Sequence, residues 1–332
     1  MSNSNDPQAL GEFGLIETYF RPLTLGRAEA LRLLDDAGIL TVAKGEQLVV
    51  TTDALVAGRH FLADGPAEDL GQKVLGVNLS DLAAMGAKPL AYTLALAAPK
   101  SITGVWLESF TDGLAAAQAL HGIFLLGGDT VSTDGPLTLS ITAMGTVPSG
   151  QALLRSGARV GDDVYVSGTI GDAALGLLVA RDGRKLADDQ GNAFLRGRYD
   201  RPRPRCLLGR KLIGLATACA DVSDGLVADA GHIAETSGVG IEIKVADLPL
   251  SAAALAALAA YPTLITTVVS GGDDYELVFT APPGAAREIL NASARTDIDV
   301  TRIGSVVEGS GVRVIDRNGQ DLEVGAGGYR HL

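Results

Sequence analysis

Six acids stand where the backbone pattern changes: Asp36, Asp53, Asp81, Asp129, Asp221 and Asp224. Each is flanked by small residues, so little bulk shields its carboxylate. Taken singly, each reads as a turn or cap residue. Taken together, the repeated setting points to convergence. Carboxylates about 4 Å apart repel by roughly 1 kcal/mol per pair in water and about 4 kcal/mol at an effective dielectric of 20. Such a cluster persists only when it is protonated or bound to cations. An oxygen-only set with no His or Cys beside it favours magnesium over zinc. Magnesium that bridges carboxylates to substrate phosphates is the chemistry of nucleotide-dependent phosphoryl transfer, in which metal and positioning do most of the work.

Phosphates also need donors. The chain has neither a Gly-x-x-x-x-Gly-Lys-Ser/Thr loop nor a kinase-type Gly-rich loop with its downstream Lys. Gly127-Gly128, Gly168 and Gly271-Gly272 offer backbone N–H groups instead, each a weak signal alone. Arg155 is a candidate fork for a phosphate, or else a solvated surface Arg. His60 closely follows the Asp53 run and, by itself, reads more readily as structural than as functional.

The elements that must position these groups alternate irregularly. Asn78 reads as an N-cap, Asp81 as the reciprocal acid of a capping box, Gly86 as the residue after the last turn, and Pro89 as a stop. That places Asp81 on the first turn of a short buried helix. Residues 47–53 form a β-rich run ending in hydroxyls and an acid. A helical run over 27–34 precedes Asp36, and a helix covers 106–120. A buried strand over 123–126 runs into Gly127-Gly128-Asp129, and another covers 137–147. The turn Pro148-Ser149-Gly150 sets the expected boundary between domains 1–148 and 149–332. Beyond it come a strand over 163–167, a charged loop over 181–191, a helix from about 205 to 218, and a helix capped by residues 221–225. Residues 52–57 and 223–228 look alike, weak evidence for related halves. The mixture without strict alternation fits α+β.

At 332 residues, 47% of them apolar, the chain has core enough for two domains. Gly accounts for 42 residues, about 13% against a usual ~7%, without a collagen-like period. A net charge of -12 argues against nucleic acid as partner. Cys206 and Cys219 lack metal-ligand spacing and read as reduced thiols of a cytoplasmic protein. No signal peptide and no apolar run of membrane-spanning length is evident, so no membrane partner is expected.

The ordered set of motifs resembles the thiamine-monophosphate kinase family. It begins at Gly11-Glu12-Phe13-Gly14-Leu15-Ile16 and continues through Asp35-Asp36-Ala37, Thr51-Thr52-Asp53 and Gly58-Arg59-His60-Phe61. Then come Val77-Asn78-Leu79-Ser80-Asp81-Leu82-Ala83-Ala84-Met85-Gly86-Ala87 and Gly127-Gly128-Asp129-Thr130. Arg155-Ser156-Gly157, Ser167-Gly168-Thr169, Asp221-Val222-Ser223-Asp224-Gly225-Leu226 and Ser270-Gly271-Gly272-Asp273-Asp274-Tyr275-Glu276-Leu277 complete it. Each piece is weak; the order is specific and spans essentially the whole chain.

The resemblance implies the two-domain α+β fold of the aminoimidazole ribonucleotide synthetase type. In it the N-terminal mixed sheet forms a barrel across a homodimer, and the C-terminal domain, α/β and sandwich-like, completes the substrate and nucleotide site. It implies direct transfer of the ATP γ-phosphoryl to thiamine monophosphate, the last step to thiamine diphosphate, with no side-chain nucleophile. By motif, Asp36, Thr51, Thr52, Asp53, Asp81, Asp129, Asp221 and Asp224 would hold several magnesium ions. Gly128, Asp129, Arg155 and Ser223 would contact ATP, and His60, Asp273 and Tyr329 the thiamine phosphate.

Three departures from the family pattern stand out. Leu34 replaces the Gly that usually precedes the paired acids, and would be strained if that position needs φ > 0. Asp273 replaces a Glu, and Thr111 stands where an aromatic often packs near the base. Within the superfamily, selenophosphate synthetase would want an N-terminal Cys and Lys, and the hydrogenase-maturation dehydratase a Cys-containing tail; the chain has no Cys before Cys206 and ends Tyr329-Arg330-His331-Leu332. The aminoimidazole synthetase motif set is not evident. The alternative of a different class is a catalytically impaired binder of nucleotide or thiamine phosphate, for which Leu34 is the reason.

Overall fold

The computed structural model describes residues 7–324, so Tyr329 lies outside the described part. The chain divides into two compact units that part between Ser149 and Gly150, with Ala83–Ala87 belonging to the second.

In the first unit, helix α1 (Pro7–Leu15) and short turns lead to strand β1 (Glu46–Val56). Helix α2 (Ala67–Ala84), strand β2 (Lys88–Pro99), helix α3 (Gly104–His121), strand β3 (Phe124–Thr133) and strand β4 (Thr138–Pro148) follow. The sheet order is β1-β4-β2-β3; β4 is antiparallel to both its neighbours and β2 is parallel to β3. A mixed sheet is therefore present, as expected.

Strand β1 has a strict period of two. Val49, Thr51 and Asp53 are half-buried and Leu55 is buried, whereas Leu48, Val50, Thr52 and Ala54 are exposed. Helix α2 is buried nearly all round, through Val74, Leu75, Leu79 and Leu82. It crosses α3 backbone to backbone: a Cβ on Gly71 would run into the Phe110 carbonyl, and one on Gly113 into the Glu68 carbonyl. Only glycines permit that approach.

The expected short helix with Asn78 as its cap is not observed. Helix α2 starts eleven residues earlier, at Ala67, after Pro66 and with Glu68 and Asp69 favourably placed in its first turn. Asn78 lies inside it and donates from Nδ2 to the Val74 carbonyl at 3.0 Å, four residues back. The helix stop was legible: Gly86 takes φ 70°, the left-handed conformation expected after a last turn.

The second unit runs through β5 (Asp163–Ser167), α4 (Asp172–Asp182), α5 (Asp189–Asp200), α6 (Cys206–Leu212), β6 (Ala218–Asp221), α7 (Leu226–Ser237) and β7 (Gly240–Lys244). It ends with α8 (Ala252–Ala260), α9 (Ile265–Ser270), β8 (Leu277–Ala281), α10 (Ala286–Thr296), β9 (Val300–Val307) and β10 (Gly311–Ile315). Its six-stranded sheet has the order β10-β7-β9-β5-β8-β6, antiparallel except between β10 and β7. Val164, Val166, Ala220, Ile233, Ile241, Val278 and Ile303 are among the fully or almost fully buried side chains of its core.

Three expectations fail here. The helix expected to reach residue 218 ends at Leu212, and Ala218–Asp221 is the strand β6. Helix α5 occupies the end of the stretch expected to be a loop and continues beyond it. The look-alike stretches at 52–57 and 223–228 are a strand in one case and a loop entering α7 in the other, so they are not a structural repeat.

Candidate functional site

In the first unit β1 and α2 bring three of the expected ligands together. Thr51 and Asp53 lie on one face of β1 by its period of two, and Asp81 lies in the last turn of α2. The Thr51 hydroxyl donates to Asp81 Oδ2. Burial, then the Asp81 charge and a hydrogen bond between the two carboxyls, push Asp53 up to about 6. A hydrogen bond between two carboxyls needs a shared proton, so below that value the pair holds one. This is an all-oxygen group that a divalent cation would relieve.

Thr52 does not join that face. Its hydroxyl donates to the Ile141 carbonyl at 3.1 Å and accepts from Thr142 at 3.1 Å, across the β1–β4 ladder. Asp129 is exposed on β3, the edge strand opposite β1, in register with Ala95 of β2. Gly128 sits beside it with no room for a side chain, because a Cβ there would collide with the Leu94 carbonyl of β2. We expect Gly128→Ala to force β2 and β3 apart, to cost about 1–3 kcal/mol and to lower activity, read by urea unfolding and steady-state kinetics. An unchanged midpoint would contradict the packing argument.

Asp36 is exposed in a bend that packs near the start of β3: Ile39 N donates to the Glu29 carbonyl at 2.8 Å, and Gly38 abuts Leu126. The strain expected at Leu34 is not observed. Leu34 takes φ −109°, ψ −8°, which any residue adopts. Leu31, Arg32 and Leu33 are the left-handed residues, at φ 47°, 61° and 56°. His60 lies in the turn after β1, where the Val56 amide donates to its Nδ1 at 3.0 Å. That bond makes Nδ1 an acceptor and fixes the neutral ring as the Nε2–H tautomer. Thr111 is buried in α3, with its hydroxyl spent on the Leu107 and Glu108 carbonyls.

The second unit gathers Arg155, Asp221, Ser223, Asp224 and Asp273 around a residue absent from the expected set, Asp229. Its Oδ2 accepts from the backbone N–H groups of Ser223 and Asp224, each at 3.0 Å, and of Gly225 at 3.1 Å. That fan of bonds holds the turn between β6 and α7 in shape. Burial, then Asp221 and Asp224, hold the Asp229 carboxyl well above the carboxylate range, against the Asp224 amide and Arg155. Asp221 is buried at the end of β6. Arg155 is exposed, on a loop tied down by Gly157 N and Ala158 N donating to Ser237 Oγ at 3.1 Å.

Asp273 adopts φ 73°, which Asp tolerates better than most residues. Its N–H donates to the Ser223 carbonyl at 2.9 Å, and Tyr275 donates its hydroxyl to Asp273 Oδ1 at 3.0 Å. The neighbouring Asp274 points inward and accepts from Gly171 N at 2.6 Å and Ala173 N at 3.1 Å. Adjacent acids thus have separate tasks. Asp229 was legible only as an acid in the first turn of a helix, a position many helices fill.

Residues 34–147 match the AIR synthase related protein N-terminal domain, and residues 159–317 its C-terminal domain. Over 323 residues the chain is 45% identical to the thiamine-monophosphate kinase of Caulobacter vibrioides, covering 96% of this chain and 90% of that protein. The chain belongs to the thiamine-monophosphate kinase family. The Escherichia coli K12 thiamine-monophosphate kinase is 41% identical over 325 residues, covering 98% and 99% of the two chains. The crystal structure of thiamine-monophosphate kinase from Stenotrophomonas maltophilia K279a superposes with a TM-score of 0.84 at 44% identity, over 93% and 97% of the two chains. AaThiL complexed with AMPPCP and TMP gives a TM-score of 0.78 at 32% identity over 98% of each chain. The hydrogenase maturation protein HypE in complex with ATP, 20% identical with a TM-score of 0.77 over 95% of each chain, shares the fold alone. The expected α+β fold of the aminoimidazole ribonucleotide synthetase type is therefore that of this thiamine-monophosphate kinase family member.

Proposed function

We propose that this chain phosphorylates thiamine monophosphate, moving the γ-phosphoryl of ATP directly onto the substrate phosphate to give thiamine diphosphate and ADP. The observation that carries the reading is near-full-length identity of 41–45% to thiamine-monophosphate kinases. The site agrees: it offers paired acids, a hydroxyl and glycine-lined backbone, and the reading calls for no side-chain nucleophile. A non-catalytic binder is disfavoured, because Leu34 carries no backbone strain.

Magnesium fits the donor set. Thr51, Asp53 and Asp81 present oxygen alone, and the raised Asp53 carboxyl marks a pair short of positive charge. Asp36, Thr52, Asp129, Asp221 and Asp224 complete the proposed ligand set, with Thr52 the least favourably turned. Bound magnesium would neutralise charge on the phosphates during transfer. Gly128, Asp129, Arg155 and Ser223 are proposed to hold ATP, and His60, Asp273 and Tyr329 the thiamine phosphate. Arg155 would orient phosphate oxygens as a planar fork, and the backbone beside Gly128 would approach the nucleotide closely.

A cytoplasmic homodimer accords with two further features. The free thiols Cys206 and Cys219 are buried, and the edge strand β1 exposes Leu48 and Val50 at 41% and 55%. Among the described residues no helix is long and apolar enough to cross a membrane.

The test is ADP release from ATP and magnesium with and without thiamine monophosphate, with the product identified. Release only with that substrate, and thiamine diphosphate as product, is expected; ATP binding without release would overturn the reading. His60→Ala should raise KM for thiamine monophosphate by about tenfold or more, the loss of a hydrogen bond to a charged group, while KM for ATP barely moves. The opposite pattern would remove His60 from the substrate pocket.

A further inference from the structure

The acid set reads as accompanied by no histidine, and the structure contradicts this for one member. Among the described residues, one oxygen each of Asp224 and Asp229 and one ring nitrogen of His232 lie within 4.8 Å of one another. Asp229 and His232 are three residues apart on α7, so they share a helix face, and Asp224 enters from the turn before that helix. A carboxylate and a histidine at that spacing recur in metal sites built on helices.

The second observation concerns Asp229 itself. Asp229 as a whole residue is 1% exposed. Oδ2 is taken by three backbone amides, and Oδ1 is buried with no hydrogen-bond partner. A carboxylate oxygen in that position is costly unless something cationic or protic meets it. The amides hold the carboxyl through Oδ2, so Oδ1 is the oxygen left without a hydrogen bond. His232 and Asp224 are only half-buried, which leaves a path for an ion to enter.

We propose that Asp224, Asp229 and His232 form a divalent transition-metal site with a donor set unlike that of the Thr51, Asp53 and Asp81 group. Two carboxylates and an imidazole suit manganese, iron, cobalt or zinc better than magnesium, which prefers oxygen alone. Three protein ligands leave coordination positions for water or a phosphate oxygen. Because the Asp224 carboxylate also belongs to the proposed kinase set, the site ties the choice of metal to the turn that carries Ser223. The proposal shares Asp224 with the kinase reading but is tested without turnover, so either can fail alone.

The experiment uses Mn²⁺ with the full chain in the absence of nucleotide. Pulsed electron paramagnetic resonance reads coupling of the bound ion to an imidazole nitrogen, and equilibrium dialysis reads affinity. The wild-type chain should show the nitrogen coupling. His232→Gln should abolish it and weaken that class of binding by at least about tenfold. His232 is half-buried on the surface of α7, so this variant should fold, as circular dichroism will verify. Asp229→Asn should have the same effect on the metal; if it does not fold, because Asp229 holds three amides, His232→Gln decides alone. No nitrogen coupling in the wild type, or coupling and affinity unchanged in His232→Gln, would overturn the proposal and leave Asp229 as an anchor for the turn only.

Discussion

Replacing Asp53 by Asn should lower kcat by about a hundredfold or more while making the metal-free protein more stable at pH 8. The two effects share one cause. In the folded chain burial and Asp81 hold the Asp53 carboxyl at about 6, above its ordinary value of 3.8. Between those two values the folded state keeps a proton that the unfolded state has released. Stability therefore falls as pH rises through this window, and the loss is complete above it. Solvent screening at this half-buried position trims the effect to about 1 kcal/mol, or roughly 2–4 °C in Tm. Asn removes the charge and the penalty together. Thermal unfolding at pH 4 and pH 8 in the presence of a chelator should show a gain only at the higher pH, and added magnesium should stabilise the parent chain more than the variant. Near-normal turnover, or a gain that does not depend on pH, would sink the assignment of Asp53 as a metal ligand.

The second large effect lies in the packing beneath the second cluster. Glu276 is fully buried between two arginines. Its Oε1 accepts from Arg198 at 2.8 Å and its Oε2 from Arg205 Nε at 2.6 Å, while Ser167 donates to Oε2 at 2.6 Å. Arg205 closes a two-pronged fork through its second nitrogen. Glu276→Ala strips Arg205 of its carboxylate, leaves Arg198 with the Asp172 carboxylate at 4.0 Å, and should cost about 3–5 kcal/mol. Glu276→Gln, which keeps the volume and part of the bonding, should cost less. The urea midpoint is the measurement, and an Ala variant within error of the parent would show that water replaces the carboxylate. Because Glu276 and Asp273 lie in one short segment, a partly folded Ala variant should also bind thiamine monophosphate poorly.

Part of the candidate site's grouping was legible because its acids sit at junctions with small neighbours, and junctions are where Gly, Ser, Thr and Asp announce themselves. Thr51, Asp53 and Asp81 do meet, and Asp221, Ser223 and Asp224 do share a turn. What misled was local chemistry with two uses. Asn78 has the side chain of a helix cap, yet in α2 it turns its amide back to Val74. Helix α5 went unread because Gly191 and Gly197 lie within a polar stretch; Leu195, Arg198 and Tyr199, spaced as one helix face, were its buried signal. The left-handed run at Leu31, Arg32 and Leu33 has no glycine to mark it in the sequence. Asp229 and His232 were hidden for a different reason: their partners are a turn and an adjacent acid, and only folding places them side by side.

The alternation along β1 has one more outcome. One face of the strand carries Thr51 and Asp53, and the other carries Leu48 and Val50. A deletion or insertion of one residue within it would exchange the faces wholesale, turning carboxylate outward and leucine inward. Point substitutions can alter the Thr51–Asp53 face or the Leu48–Val50 face separately, but a change of length cannot. The length of this strand is therefore constrained more tightly than the identity of its outward-facing residues.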